Sequence, residues 1–232
     1  MYSTKFCNIY GKYGWNAFPE TFGNVLLKYF DSRNKKINKH IDIACGNGTL
    51  CNIFYNQKIN TKGIDISREM INEARLLNPN IDFEVADLTT YNYNDKYDLV
   101  TCTCDAINHI LNYNDICNAF KNIFDALNSD GYFVFDIIDE EQLLIDKPMI
   151  SNREDGIRIE FKISKNDDII TNDVLIYNND IFVHKEKILE RIYDPEIIKN
   201  TLKEIGFRIE FFGNNIMDEE QKYKYKYICR KV

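Results

Sequence analysis

The residues that could do chemistry gather first in one stretch, His40-Ile41-Asp42-Ile43-Ala44-Cys45-Gly46-Asn47-Gly48-Thr49-Leu50. A short apolar run carrying one acid, Asp42, leads into two glycines one residue apart, and an apolar-periodic segment follows over residues 50–55. Strand, glycine turn and helix let a backbone approach a nucleotide closely, with helix N–H groups facing it. The dinucleotide fingerprint asks for G-x-G-x-x-G. Gly46 and Gly48 are present, but Cys51 stands where the third glycine belongs. That glycine gives close helix–strand packing around a pyrophosphate, so its loss argues against NAD and FAD.

Acids recur at the ends of the next two apolar runs. Lys62-Gly63-Ile64-Asp65-Ile66 puts Asp65 at the C-terminal end of a second strand, the side where open α/β sheets bind ligands. An acid there accepts hydrogen bonds from both ribose hydroxyls and repels a 2′-phosphate, which counts against NADP. Ser67 is an N-cap candidate for a helix over 68–77. Ile66 and Met70 lie at the edge of such a ligand, where Met70 is either core filler or an adenine contact. A third strand over 81–88 ends at Asp87, which is either a turn former or an acceptor for the adenine amino group. Strand four, over 97–103, runs into Cys104-Asp105-Ala106-Ile107-Asn108-His109-Ile110; a helix over 113–127 and a fifth strand over 132–137 follow, joined by an Asp130-Gly131 turn. Four alternations of strand and helix imply a parallel, doubly wound sheet.

Asp42/Gly46/Gly48, Gly63-Ile64-Asp65-Ile66-Ser67, Glu69-Met70, Ala86-Asp87-Leu88, Tyr97-Asp98-Leu99-Val100 and Asp130-Gly131 stand in a shared order and spacing. In that combination the chain resembles the class I S-adenosylmethionine (SAM) methyltransferases over residues 37–140. The run 102–110 is similar to their bacterial small-molecule branch, which includes aminosugar N-methyltransferases and relatives of glycine N-methyltransferase. The resemblance implies a Rossmann-like seven-stranded α/β sheet, parallel with an antiparallel last strand, with helices on both faces and an antiparallel β-meander inserted after strand five. It implies SAM as cofactor and S-adenosylhomocysteine as product. Asp42 and the backbone of Ala44, Cys45, Gly46, Asn47 and Gly48 would hold the methionine part. Asp65 would bind ribose, Asp87 and Leu88 adenine, and Thr103 or Cys104 would offer backbone to the cofactor's amino group. Asn47 departs from the Thr or Ser usual after the middle glycine, a tolerable change where backbone makes the contact.

Methyl transfer from a sulfonium needs alignment, and it needs a base only when the acceptor arrives protonated. Asp105, Asn108 and His109 stand just past strand four, and His109 titrates near neutrality. The alternative for His109 is a helix-start residue packed on the core. Upstream, Tyr10, Tyr13, Trp15 and Phe18 interleave with Gly11 and Gly14. These aromatics either pack on the core or close a lid, in which rings favour a sulfonium through cation–π attraction and Tyr10 and Tyr13 orient the acceptor.

The segment 151–192 alternates apolar and polar residues in short runs separated by Asn166-Asp167-Asp168 and Asn178-Asn179-Asp180, as an antiparallel meander with one wet face does. His184 reads there as a surface residue. Asp194-Pro195-Glu196 opens a helix that Gly206 ends, and strands over 207–212 and 223–229 close the chain, the latter with tyrosines on one face and lysines on a half-exposed one. The 232 residues read as one methyltransferase domain: a helical lid (1–36), a SAM-binding core (37–150), the β insertion (151–192) and a closing helix with two strands (193–232). The net charge of −7 disfavours a nucleic-acid partner. Seven scattered cysteines without C-x-x-C, and three histidines without ligand spacing, give no metal site and suit a reducing compartment. With no signal-peptide core and no apolar run of membrane-spanning length, the expectation is a cytoplasmic monomer or homodimer with a small-molecule methyl acceptor. The alternatives are a methyltransferase acting on protein or RNA, and a non-catalytic SAM-binding protein.

Overall fold

Ile41, Ile43, Ile64, Leu99, Val100, Phe133, Val134 and Phe135 expose no surface. Strands carrying such runs must be covered on both faces, which is the condition of a parallel sheet between helices. The computed structural model describes residues 3–10, 15–143, 149–152, 156–216, 219–220 and 224–232. In chain order it has α1 (Thr4–Tyr10), α2 (Ala17–Ser32), β1 (Lys39–Ile43), α3 (Thr49–Asn56), β2 (Asn60–Asp65), α4 (Arg68–Leu77), β3 (Asp82–Val85), β4 (Tyr97–Cys102), a 3-10 turn (Ala106–His109), α5 (Tyr113–Ala126) and β5 (Leu127–Ile138). Then come β6 (Met149–Asn152), β7 (Ile157–Asn166), β8 (Ile169–Asn178), β9 (Ile181–Arg191), α6 (Pro195–Ile205), β10 (Phe207–Gly213), the two-residue strands β11 (Asn215–Ile216) and β12 (Glu219–Glu220), and β13 (Lys224–Lys231).

The main sheet runs β10-β13-β5-β4-β1-β2-β3, with β13 antiparallel to both of its neighbours and β5 through β3 parallel. This is the expected seven-stranded fold. Ile116, Phe120, Ile123, Ile198 and Leu202 from α5 and α6 cover one face, and Phe22, Leu26, Leu50 and Phe54 from α2 and α3 cover the other. The strand order reverses direction between β1 and β4, and a crevice opens there at the strands' C-terminal ends. Local chemistry sets the helix limits: Ser67 Oγ accepts the Met70 N–H to start α4, Asp194 caps α6 ahead of Pro195, and Gly206 ends it at φ 116°.

The four strands β6 to β9 form a separate antiparallel sheet. Its apolar face, with Ile157, Ile159, Val174 and Ile176, packs on Phe6 of α1, with Tyr10, Trp15 and Phe161 around them. His184, expected to be a plain surface residue, lies within hydrogen-bond distance of Ser3 Oγ (3.0 Å) and Glu186 Oε2 (2.8 Å), and Glu186 also takes the Ser3 N–H. These contacts tie the start of α1 to β9.

Three expectations change. Within 1–36, α2 belongs to the core, while Tyr10 at the end of α1 borders the crevice. Strand five starts earlier than expected, at Leu127; Asp130 takes a left-handed φ of 65° inside it, and the pairing with β4 shifts register there. The lysine face of β13 is not wet: Lys226 has no exposed surface and donates to the Asn214 carbonyl at 2.6 Å, because β13 lies between β5 and β10 with both faces covered.

Gly63 shows how tightly the crevice side is packed. A Cβ there would lie 2.6 Å from the Phe83 ring and 2.8 Å from Cys45 Sγ, the residue that starts the glycine turn. Gly63→Ala should therefore cost about 2 kcal/mol and lower the melting temperature by about 4–8 °C, read by calorimetry. An unchanged melting temperature would mean that Phe83 is free to move aside.

Candidate active site

The glycine turn is held in a left-handed path, with φ 57° at Ala44, 54° at Gly46 and 79° at Gly48. No atom stands within 4 Å of where a Gly46 Cβ would be, so the space beside it belongs to the crevice. Asp65 fixes this turn. Its Oδ2 accepts the Gly46 N–H at 2.9 Å and its Oδ1 accepts the Ser67 N–H at 2.8 Å, so one carboxylate joins the loops after β1 and β2. Burial pushes its pKa up, against those two bonds.

Asp42 sits below the turn, 2 % exposed, and accepts from Thr101 Oγ1 at 2.6 Å. Thr101 has one hydroxyl proton, and it is spent on Asp42. It therefore accepts from His40 Nε2, 2.8 Å away, which fixes the His40 tautomer and leaves Nδ1 without a partner. Burial drives the His40 pKa down to about 3, so the ring is neutral, and burial pushes Asp42 up to about 7.

Two cavities meet at Ala44, Gly46, Tyr10, Thr103 and Cys104. The small one is also lined by Asn16, Asp42, Cys45, Asn47 and Thr49. Two of its polar atoms are buried without partners, Asn16 Oδ1 and Asn47 Nδ2. The large one, of about 560 Å³, runs past Asp65, Ile66, Ser67, Met70, Asp87 and Leu88 to Ala106, His109, Ile110 and Leu111, and under Ile188 and Leu189 of β9. Asp87 Oδ1 accepts from the N–H and the hydroxyl of Thr89, at 2.9 and 2.7 Å, and its second oxygen has no such bond to a described residue.

The loop after β4 is shaped by a residue that the sequence does not flag. Cys104 and Asp105 are both left-handed, at φ 63° and 52°. Asp136, with no exposed surface, accepts both of their N–H groups. Lys224 Nζ lies 2.9 Å from Asp105 Oδ2 and 3.8 Å from Asp136 Oδ1, so a half-buried ammonium balances the two acids. Asn108, by contrast, spends its side chain on structure: it bonds the Arg191 carbonyl and the Ile138 N–H and exposes nothing. The His109 ring donates to the Leu189 carbonyl, and its Nε2 lies 3.8 Å from Glu190 Oε1. Burial lowers the His109 pKa and raises that of Glu190 to about 8. Asp105, His109 and Glu190 are, among the described residues, a group that could hold a cation, with ligating atoms within 4.8 Å of one another. No such grouping was expected from the sequence, since Glu190 is 81 positions beyond His109.

The structure thus brings Asp42, Ala44, Cys45, Gly46, Asn47, Asp65, Ile66, Met70, Asp87, Leu88, Thr103, Cys104, Tyr10 and His109 to the two cavities. Gly48 is set back as the N-cap of α3. Asp105 faces Lys224, beside the lining. Trp15 lines neither cavity. It stacks on Tyr10 from behind, centroids 5.6 Å apart, because the apolar face of the β6–β9 sheet claims its ring. Tyr13, Gly11 and Gly14 lie outside the described residues.

Residues 41–131 match the family model of a methyltransferase domain. A putative methyltransferase of Bacillus subtilis, YqeM, is 22% identical over 204 residues, 83% of each chain. The structure of a SAM-dependent methyltransferase from Clostridium acetobutylicum overlays with a TM-score of 0.81, at 22% identity and over 90% of each chain. Residues 41–131 thus carry a methyltransferase domain, on a chain with the fold of SAM-dependent methyltransferases. The fold likeness extends to CalS10, an amino pentose methyltransferase from Micromonospora echinaspora, with a TM-score of 0.80, 14% identity, and coverage of 100% of this chain and 98% of that one. The small cavity of this methyltransferase domain suits the zwitterionic end of its cofactor. Asn47 Nδ2 is an unused donor for a carboxylate, and Asn16 Oδ1 and Asp42 are acceptors for an ammonium group.

Asp42 supplies a pH test. Between its ordinary value of 3.8 and about 7, the folded protein keeps this proton while the unfolded chain has lost it. Folding stability then falls as pH rises through that window, by up to about 1.4 kcal/mol per pH unit. In the cofactor-free protein, the melting temperature of Asp42→Asn should exceed that of wild type by a margin that grows from pH 4.5 to 7 and then levels off. A margin independent of pH would show that Asp42 is ionised throughout.

Proposed function

We propose that this methyltransferase moves the methyl group of SAM, in line, to a nitrogen or oxygen of a small molecule. One observation carries the reading: the crevice at the ends of β1 to β4 continues into an apolar-walled space beneath β9 and α1, bounded by Ile110, Leu111, Ile188 and Leu189. A space of that size, roofed on the acceptor side, suits a small ligand better than a protein or RNA segment, and the net charge of −7 also weighs against a polyanion. The fold it shares with an amino pentose methyltransferase supports the same choice.

The residues take these parts. Asp42, Asn16, Asn47 and the backbone of Ala44 to Gly48 hold the amino-acid end of the cofactor, with Thr103 and Cys104 offering backbone to its amino group. Asp65 accepts from the ribose hydroxyls. Asp87 and Leu88 hold adenine between Ile66 and Met70. Tyr10, backed by Trp15, closes over the sulfonium side. The cofactor, when bound, supplies an already activated methyl. The protein's contribution is then alignment and exclusion of water, an effect worth on the order of 7–11 kcal/mol when the reacting atoms are well placed. His109 and Asp105 stand at the acceptor end. All seven cysteines are free thiols, which supports a cytoplasmic setting. Among the described residues no helix is long and apolar enough to cross a membrane.

Calorimetric titration with SAM, S-adenosylhomocysteine and NAD, read in parallel through Trp15 fluorescence, tests the cofactor arrangement. The first two should bind and NAD should give no heat. Asp65→Ala should weaken binding about 30-fold or more, because it removes the ribose acceptor and releases Gly46 and Ser67 together. Binding of NAD alone would overturn the assignment.

A further inference from the structure

Glu190 is 6 % exposed, yet it accepts no hydrogen bond from any described residue. So little exposure leaves the carboxyl few waters, and a donor from a ligand would replace them. His109 Nε2 lies 3.8 Å from Glu190 Oε1, too far for a direct bond, while a donor set to one side of the line between them could reach both. Asp105 approaches the same point from the turn after β4. Three acceptors, two from the turn after β4 and one from β9, therefore converge beside the acceptor end of the cavity, which His109 lines.

We propose that Glu190, His109 and Asp105 form the seat of a protonated amino group, so that the methyl acceptor is an amine and Glu190, beside His109, takes its proton. This rests on the methyltransferase reading above and adds the acceptor's chemical class. An ammonium group carries three N–H donors, one for each converging acceptor. An alcohol offers one donor and no charge, and would leave Glu190 uncompensated. Charge favours a monocation as well. With Glu190 ionised, three carboxylates (Asp105, Asp136 and Glu190) face one ammonium, Lys224, and His109 is neutral. One further positive charge brings the set closer to balance. A divalent metal would have to share Asp105 with the Lys224 ammonium, 2.9 Å from that carboxylate, and would be repelled by it.

The step balances. The ammonium gives one proton to the Glu190 carboxylate and its nitrogen regains a lone pair. That pair forms the new C–N bond as the S–C bond breaks, and the sulfur keeps the bonding electrons, leaving a neutral thioether. The methylated amine leaves as a cation and Glu190 returns its proton to solvent. Burial raises Glu190 to about 8, which narrows its gap to an alkyl ammonium, ordinarily near about 10, and makes it a better base than a free carboxylate. Glu190 accepts a proton only as carboxylate, so turnover should rise with pH through that value. The charged and titratable groups facing it are Asp105, His109 and Lys224, with Asp136 behind Lys224.

The test uses the full chain loaded with S-adenosylhomocysteine, with methylammonium chloride as probe and methanol as its uncharged counterpart, at constant ionic strength. The ring resonance of His109 is followed by NMR. Methylammonium should shift it saturably, methanol should not, and Glu190→Gln should bind methylammonium at least about tenfold more weakly while keeping the heat of S-adenosylhomocysteine binding. Equal responses to methylammonium and methanol in the wild-type protein would overturn the seat without calling on any variant. So would unchanged methylammonium binding in Glu190→Gln, or tight Mn²⁺ binding that abolishes the methylammonium shift. Absence of S-adenosylhomocysteine binding would instead count against the methyltransferase reading itself.

Discussion

Buried carboxylates at one edge of the sheet are the constraint on which the rest of the crevice depends. Asp42, Asp65 and Asp136 are each at most 9 % exposed, and among the described residues only Asp136 has a cation beside it, Lys224. Burying a charge without donors costs several kcal/mol, so the loops have to supply them. Asp65 takes the N–H groups of Gly46 and Ser67, Asp136 those of Cys104 and Asp105, and Asp42 the Thr101 hydroxyl. The same bonds hold Ala44, Cys104 and Asp105 in left-handed conformations that non-glycine residues disfavour by about 1–2 kcal/mol each. The loops after β1 and β4 are thus held by the acids, next to a wall built by apolar packing.

The parts of this arrangement that depend on neighbours in sequence were legible. The glycine turn, the Ser67 cap, the acids at the ends of β2 and β3 and the alternation of strands with helices are local patterns, and the seven-stranded fold follows from them. What was not legible depends on pairs far apart in the chain. Lys224 meets Asp105 and Asp136 only because β13 inserts beside β5, and in the sequence its alternation with tyrosines looks the same as a half-exposed strand. Glu190 looks like one more charge on a surface strand until β9 is seen to cross above His109. Asn16 carries no motif at all, and only its buried, partnerless oxygen marks it. Asn108 errs in the opposite direction: it has the right place for chemistry, but both ends of its amide are committed to backbone.

Two kinds of packing meet at the cavity. Below it, the sheet and its helices form continuous apolar clusters that include most of the fully buried aromatics. Above it, α1 is held to the β6–β9 sheet by a smaller set: Phe6 on Ile157, Ile159, Val174 and Ile176, the Tyr10–Trp15 stack, and the polar contacts of Ser3 with His184 and Glu186. Burial of apolar area scales with the number of such contacts, so the roof is the weaker of the two. A floor that stays fixed beneath a roof that can part is the mechanical condition for ligands to enter a covered site.

The position of β13 also bears on how the molecule is put together during synthesis. β10 joins the main sheet only through β13, and Lys224, the cation that neutralises Asp105 and Asp136, comes from β13 itself. The loop after β4 is thus left with two unbalanced acids until the last strand of the sheet has been made, so its charge balance depends on the part of the chain that is synthesised last of all the strands.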